Sequence, residues 1–184
     1  MNINLRKSVL TSMFAALICV ATMIIQIPSP MGGYVNLGDC FILVAAWILG
    51  PVYGFAAGGI GSALADLISG YPQYIPGTFI IKGLIAVVAA LLTKKLLTAK
   101  PSQKNLSYIL GAIVGEIIMV MGYAAYDSVL YGTGFFAALS GIGNFIQGGI
   151  GIIAGTALIR ALSAAGLTAK IHAYTDTTAH HLIK

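Results

Sequence analysis

The chain alternates between long apolar segments and short segments rich in proline, glycine and polar residues. Six apolar segments can be assigned, with approximate bounds 8–27, 39–49, 52–68, 78–92, 106–126 and 135–162. A membrane-spanning helix needs about 20 apolar residues, so the second segment is short and is expected to tilt or to be shielded by its neighbours. The pattern predicts an all-α integral membrane protein built as a bundle of six transmembrane helices.

Composition supports a lipid environment. Of the 184 residues, 58% are hydrophobic and 8% are charged, whereas a soluble domain has about 25% charged residues. Such a chain cannot cover a globule with polar surface. We expect one membrane domain over residues 1–163 and a polar cytoplasmic tail over 164–184.

The positive charges predict the orientation in the membrane. Nine of the ten lysines and arginines lie before the first segment, between the fourth and fifth segments, or at the end of the sixth segment and beyond it. In a protein with six spans these three places lie on the same side, and the positive-inside rule makes that side cytoplasmic. Both termini are therefore expected in the cytoplasm. The opposite loops, 28–38, 69–77 and 127–134, contain no lysine or arginine.

The first outer loop, Ile27 to Asp39, is interrupted by prolines and glycines and cannot span the membrane as a helix. We interpret it as a lid over a small-molecule site. Tyr34 and Asn36 would touch the ligand, and Asp39 would anchor the end of the loop. The alternatives are ordinary turn chemistry with tyrosines at the interface, and Asp39 as a helix cap.

Polar residues within the apolar segments are costly, at roughly 2.5–3.5 kcal/mol for a charged group, and each one is therefore a functional candidate. Most of them fall in the outer half of the membrane. The candidate substrate-binding residues are Tyr34, Asn36, Tyr74, Lys82, Glu116, Tyr123, Asn144 and Gln147. Glu116 could accept a hydrogen bond from an amino or hydroxyl group, and the two amides could both donate and accept. Alternatively, Lys82 pairs with Asp66 or Glu116, and the amides only bridge helices.

Small residues recur at four-residue intervals in several spans and would let helices approach closely in lipid. The third span contains the rows Gly50-Gly54-Gly58-Ser62 and Ala57-Gly61-Ala65. The first span contains Ser12-x-x-x-Ala16 and Thr11-x-x-x-Ala15-x-x-x-Cys19. The rows of the first span either pack within the bundle or face a second membrane protein, and the sequence leaves both possibilities open.

Several chemical motifs are missing from the sequence. There is no Walker A motif, no histidine or carboxylate cluster at metal-ligand spacing, and no credible Ser/His/Asp set in the spans. The histidines lie in the tail, where a solvated or disordered role is expected. We therefore predict no enzymatic activity, no cofactor, no metal and no nucleic-acid partner.

Together these features resemble the substrate-binding S components of energy-coupling factor (ECF) vitamin transporters, over about residues 5 to 163. The resemblance rests on the six short spans and on motifs at Leu37-Gly38-Asp39, Lys82-Gly83-Leu84, Glu116 and Gly143-Asn144-Phe145-Ile146-Gln147. Within the family, the pattern is most similar to members assigned to hydroxymethylpyrimidine or pyridoxine-like ligands.

The resemblance implies a binding subunit of an ATP-driven importer in the bacterial cytoplasmic membrane. It would capture a vitamin or vitamin precursor at the outer face, and would work with a transmembrane coupling subunit and two ATPase subunits. Ser12 and Ala16 stand where the family has an Ala-x-x-x-Ala row that contacts the coupling subunit. Riboflavin or pantothenate as the ligand, a stand-alone ion-coupled carrier, and a structural membrane protein remain the alternatives.

Overall fold

The computed structural model describes residues 3–28, 34–132 and 141–175. Within these ranges the chain is almost entirely helical, as the sequence predicts. The helices are α1 (Ile3–Ile24), α2 (Gly38–Leu49), α3 (Pro51–Ile68), α4 (Ile75–Ala99), α5 (Lys104–Tyr131), α6 (Gly141–Ala164) and α7 (Leu167–Thr175). Two short strands, β1 (Ile27–Pro28) and β2 (Tyr34–Val35), form an antiparallel hairpin between α1 and α2.

Five of the described helices are long and apolar enough to cross a membrane: α1, α3, α4 with the short turn that precedes it, α5 with the turn that precedes it, and α6. The shorter apolar helix α2 is the sixth member of the bundle. It packs against α1, α3, α4 and α6, and Ile42 and Leu43 on it are fully buried. The second helix is short, but it is shielded by its neighbours as expected.

Glycines in α3 allow the close packing that the four-residue rows predict. A Cβ at Gly58 would lie 2.9 Å from the Lys82 carbonyl oxygen on α4. A Cβ at Gly61 would lie 3.1 Å from Ala15 Cα on α1. The two rows of α3 therefore face different neighbours within the bundle, and each brings a helix backbone into direct contact.

Helix α1 presents its two small-residue rows to different surroundings. Thr11, Ala15 and Cys19 are buried against the bundle, whereas Ser12 and Ala16 lie on the exposed face. That face also carries exposed Met13 and other large apolar side chains. The structure thus separates a row used for internal packing from a row that is free to face lipid or another membrane protein.

Several helix ends differ from the expected bounds. Helix α4 continues to Ala99, so Lys94 and Lys95 are helical rather than part of a loop. Lysine and leucine are good helix formers, and residues 93–100 contain no proline or glycine. Helix α5 continues to Tyr131 and ends at Gly132, which has the left-handed conformation of a C-cap glycine (φ +65°).

The segment after α6 contains the short helix α7, which was not anticipated in the polar tail. Arg6 on α1 donates a hydrogen bond to the Tyr174 carbonyl oxygen at 3.0 Å, and its guanidinium lies over the Tyr174 ring. The amino-terminal end of α1 and the chain after α6 therefore meet at one end of the bundle. His180 and His181 lie outside the described residues. The division of the chain at residue 163 stays a prediction.

Candidate outer-face binding site

The two strands of the hairpin and the residues that connect it to α2, which are residues 27–28 and 34–37, form a segment that we call the outer lid. Its strands pair Ile27 with Val35 and Pro28 with Tyr34. The Tyr34 hydroxyl donates a hydrogen bond to Asp66 Oδ1 at 2.8 Å, which ties the lid to the end of α3. Burial, and then the nearby Asp66 carboxylate, raise the pKa of the Tyr34 hydroxyl well above its usual range. Pro30 lies outside the described residues.

The inner end of the outer lid is bonded to α6 through Asn36. Its backbone N–H and its side-chain Nδ2 both donate to Gln147 Oε1, at 2.8 and 3.2 Å. Its Oδ1 accepts from the Gly38 N–H at 2.8 Å, which shapes the turn into α2. Asn36 is buried, so these hydrogen bonds satisfy polar groups that have little access to water.

Asp39 and Lys82 form a buried ion pair, with 2.6 Å between Nζ and Oδ1. The other carboxylate oxygen, Oδ2, accepts from Gln147 Nε2, also at 2.6 Å. Asp39 lies in the first turn of α2 and makes no side-chain cap there, so the capping alternative is wrong. Pairing of Lys82 with Asp66 or Glu116 is also wrong, because its partner is Asp39, which the folded chain brings next to α4.

Met119 completes this network and was missed by the sequence interpretation. Its sulfur lies 3.1 Å from Lys82 Nζ and 3.4 Å from Gln147 Nε2, and the side chain is fully buried. Methionine sulfur is a weak acceptor in an otherwise apolar side chain. Its position three residues after Glu116, on the same side of α5, was the available signal.

Glu116 differs from every other member of the site. It is 4% exposed, and neither carboxylate oxygen has a hydrogen-bond partner among the described residues. A Cβ at Gly151 would lie 3.3 Å from Glu116 Oε1 and 3.0 Å from Asp39 Cβ, so both acidic side chains flank the same point of α6. Because buried carboxylates are normally paired or hydrogen-bonded, Glu116 is a candidate acceptor for a hydrogen-bond donor on a ligand.

An open cavity of about 260 Å³ lies beside Glu116, between α5 and α6, and Ile113, Ile117 and Phe145 in its lining are exposed on the outside of the bundle. Apart from the carboxylate, its lining is apolar or glycine: Ile113, Ile117, Val120, Phe145, Gly148, Gly149 and Ile152. One polar group in an apolar cavity is the usual make-up of a small-molecule site, in which the apolar walls hold a ring and the polar group sets its orientation.

Tyrosines form an aromatic wall on the outer side of the network. Tyr74 is buried, and its ring centroid lies 6.4 Å from that of Tyr123 and 6.1 Å from that of Tyr126. The Tyr123 hydroxyl shares a hydrogen bond with Thr78 at 2.9 Å, and its ring lies 5.5 Å from Lys82 Nζ. Ring contacts continue from Tyr74 through Tyr71 to Tyr34 of the outer lid.

The structure therefore brings most of the predicted site residues together. Asn36, Lys82 and Gln147 belong to one hydrogen-bonded network, and Tyr34, Tyr74 and Tyr123 to the aromatic wall above it. Asn144 lies one turn before Gln147 on α6 and is half-buried. Their roles in ligand binding stay predictions.

Comparison with known proteins gives consistent matches across the chain. Residues 2–164 match the model of the family described as "ECF-type riboflavin transporter, S component". An uncharacterised protein of Pyrococcus woesei is 40% identical over 74% of this chain and 93% of its own length. The thiamine precursor transporter HmpT of Lactococcus lactis is 28% identical over 88% of both chains.

A solved structure, the S component of a bacterial ECF transporter, has the same fold. It aligns with a TM-score of 0.65 at 24% sequence identity, covering 88% of this chain and 97% of the other. The family match spans nearly all of the described residues. The chain therefore belongs to the family of ECF-type transporter S components, and is a multi-pass cell-membrane transport protein rather than an enzyme.

Proposed function

We propose that this chain captures a small vitamin or vitamin precursor at the outer face of the membrane, as the substrate-binding subunit of an ATP-driven ECF-type importer. The observation that carries the proposal is the buried Glu116 carboxylate, which has no partner among the described residues and lines an apolar cavity. A structural carboxylate at that depth would be expected to have a partner within the protein, as Asp39 has in Lys82.

The charges favour a neutral or weakly basic ligand. Lys82 is already paired with Asp39, so a second carboxylate, that of Glu116, leaves the site with an excess of negative charge when it is ionised. An amino or hydroxymethyl group on the ligand would satisfy Glu116. Pantothenate fits less well, because its own carboxylate would need Lys82 to leave Asp39.

The cavity size favours a single substituted ring. Pockets for drug-sized ligands have volumes of about 300–1,000 Å³, and the cavity beside Glu116 is about 260 Å³. We therefore propose a hydroxymethylpyrimidine-type thiamine precursor or a pyridoxine-like compound as the ligand. The name of the Lactococcus lactis relative supports the first of these.

Riboflavin is the second candidate, because the matching family model is named for a riboflavin transporter. Its three fused rings would need more room than the cavity between α5 and α6 provides. Binding of riboflavin would therefore require α5 and α6 to move apart, whereas binding of a single ring would not.

The test is a binding screen on the purified full-length protein. Isothermal titration with hydroxymethylpyrimidine, thiamine, pyridoxine, riboflavin and pantothenate, together with native mass spectrometry of the protein as purified, should identify one ligand with nanomolar to micromolar affinity. Thr156→Val is a suitable control on α6, because the Thr156 hydroxyl bonds only to the backbone of its own helix. If no vitamin binds in either measurement, the proposed function is wrong.

ATP-driven coupling is proposed from the family, since the sequence has no nucleotide-binding motif of its own. Uptake in liposomes should then require a coupling subunit and ATPase subunits in addition to this chain. Uptake by the chain alone, driven by a proton or sodium gradient, would instead show an ion-coupled carrier.

A further inference from the structure

A second and larger cavity lies at the opposite end of the bundle, where α2 ends and α3 begins. Its volume is about 500 Å³. It is lined by α1, the α2–α3 junction, α4, α5 and α7, and the side chains used below are Lys7, Trp47, Thr93, Lys94, Tyr108 and His172. Thr93 is about three helical turns further along α4 than Lys82, or about 16 Å. The cavity is therefore separate from the outer-face site.

Hydrogen bonds and ring contacts between three helices fix one wall of this cavity. Trp47 Nε1 donates to Thr93 Oγ1 at 3.1 Å, and Thr93 Oγ1 donates to the Ser107 carbonyl oxygen at 3.2 Å. The Trp47 and Tyr108 rings pack at a centroid distance of 4.9 Å. Thr93 is buried. The Trp47–Tyr108 pair is thus fixed by contacts among α2, α4 and α5, and its arrangement does not depend on a ligand.

The cavity has positive charge and no described acidic neighbour. Lys7, Lys94 and His172 line it, and Lys104 Nζ lies 5.9 Å from the Tyr108 ring. Within the described part of the chain, the one salt bridge found is Lys82–Asp39 at the outer site. Asp39, Asp66 and Asp127 belong to the outer half, Glu116 lies midway along α5, and Asp176 lies outside the described residues.

The helix dipoles do not by themselves favour an anion in this cavity. The carboxyl ends of α2 and α4 lie at the cavity together with the amino ends of α3 and α5, so that their partial charges oppose one another. The cationic side chains therefore make the electrostatic potential of the cavity positive. Lysine binds phosphate groups as a compact charge.

We propose that this cytoplasmic cavity binds a phosphate-bearing ligand, with the phosphate contacted by Lys7 and Lys94 and the apolar part packed against Trp47 and Tyr108. The chemistry suits two sources: a soluble phosphate monoester with an aromatic ring, or the headgroup of an anionic phospholipid in the cytoplasmic leaflet. The proposal is independent of which vitamin binds at the outer site.

The chain offers its own probe for this site. Trp47 is its one tryptophan, so that intrinsic tryptophan fluorescence reports on the cavity alone. In phosphatidylcholine nanodiscs assembled with a tryptophan-free scaffold protein, the full-length protein would be titrated with phenyl phosphate and with inorganic phosphate, against sodium chloride of equal ionic strength. In a second series, the fraction of phosphatidylglycerol in the nanodiscs would be increased without any added phosphate.

A saturable change in Trp47 emission is expected in at least one series and not with chloride. A response to phenyl phosphate in phosphatidylcholine identifies a soluble ligand, and a response to phosphatidylglycerol alone identifies a lipid headgroup. The double variant Lys7→Gln/Lys94→Gln should weaken the apparent affinity at least tenfold. Lys95→Gln is the matched control, because Lys95 is exposed on the same helix but does not line the cavity.

Two results would overturn the proposal. The first is the absence of a saturable response in every series with protein that is shown by circular dichroism to be folded. The second is an equal loss of affinity in Lys95→Gln and Lys94→Gln, which would indicate diffuse surface charge rather than a site.

Discussion

Asp39 of α2 and Lys82 of α4 form an ion pair with 2.6 Å between Oδ1 and Nζ, although they are far apart in the sequence. Both side chains are almost completely buried. The pair joins the short helix after the outer lid to α4, whose Thr78 shares a hydrogen bond with Tyr123 of the aromatic wall. Since Gln147 of α6 bonds the second Asp39 oxygen, a single carboxylate holds three helices at the base of the outer site.

Removing one partner of this pair should strongly destabilise the protein. Asp39→Asn or Lys82→Met each leaves a buried charge without its counter-ion, at a cost of about 3–5 kcal/mol. Both single variants are expected to melt well below the wild type in a thermal-shift assay in detergent. The double variant Asp39→Asn/Lys82→Met should recover much of the loss, because no isolated charge remains. Additive losses in the double variant would contradict this account.

Glu116→Gln should change stability and ligand binding in opposite directions. The wild-type carboxylate has no partner among the described residues, and an unpaired buried charge costs more than a buried neutral amide. The neutral amide should therefore raise the melting temperature of the ligand-free protein. Binding of the vitamin should weaken more than tenfold in calorimetry, because the acceptor of its amino or hydroxyl group is lost.

Asp66→Asn is the matched control for Glu116→Gln. Asp66 is also a buried carboxylate, but its Oδ1 accepts a hydrogen bond from Tyr34. The same change of carboxylate to amide should therefore not stabilise the protein at this position. A gain in melting temperature at Asp66 equal to that at Glu116 would show that Glu116 is not distinctive.

Gln147→Leu should accelerate the escape of the ligand. The Gln147 side chain accepts two hydrogen bonds from Asn36 of the outer lid and donates one to Asp39. Without them the lid is held to α6 only by packing, so that the dissociation rate of the ligand should rise at least tenfold in stopped-flow measurements. The Thr156→Val control on the same helix should leave the rate unchanged. Equal rates in Gln147→Leu and wild type would show that these bonds do not retain the ligand.

Tyr34→Phe should loosen the outer lid more mildly. The ring contact with Tyr71 remains, and the hydrogen bond to Asp66 is lost, at a cost of about 1 kcal/mol. Backbone amides at residues 34–37 should exchange hydrogen several-fold faster. Because the pKa of Tyr34 is raised in the folded protein, the stabilisation by its hydroxyl depends on pH. It is complete below the tyrosine pKa of the unfolded chain, about 10, and is lost as the pH rises further. Amide hydrogen exchange in the Tyr34→Phe variant should lack the pH dependence that ionisation of this tyrosine causes.

Bulky residues on the exposed row of α1 should impair transport but not binding. Ser12→Leu/Ala16→Leu fills a lipid-facing surface, and no packed neighbour in the bundle has to move. If this row contacts the coupling subunit, uptake with a reconstituted ECF module should fall severalfold while vitamin affinity stays unchanged. Ala157→Leu, at an exposed position of α6, should leave uptake unaltered. Normal uptake in the α1 variant would exclude this row as the contact surface.

Much of the membrane architecture follows from the sequence because its causes are local. Long apolar runs and breaker residues set the helices, and lysine positions set the orientation. The ends of α4 and α5 lie beyond the predicted bounds, since no residue between 93 and 100 or near Asp127 stops a helix before Pro101 and Gly132. The short helix α7 was missed because a polar segment of this length gives little periodic signal.

The candidate site was predicted as a set of residues but not as a network. Depth in the membrane and helical spacing place Lys82, Glu116 and Gln147 at one level, and these are properties of single helices. Which carboxylate pairs with Lys82 depends on the rotation and packing of α2, α4 and α5 against one another. This packing makes Asp39 the partner of Lys82, places Met119 in the network and leaves Glu116 beside the cavity.

The sequence by itself determined that this protein is a helical membrane bundle with its cationic end in the cytoplasm and a polar, mixed-charge layer near its outer face. Hydropathy and charge act residue by residue, so they can be read along the chain. Only the tertiary structure decided that Asp39 neutralises Lys82, that Glu116 has no partner among the described residues, and that Thr11 and Ser12 of α1 face opposite surroundings. Those outcomes depend on which helix faces meet, and close packing of glycine rows in α3 and α6 fixes that choice.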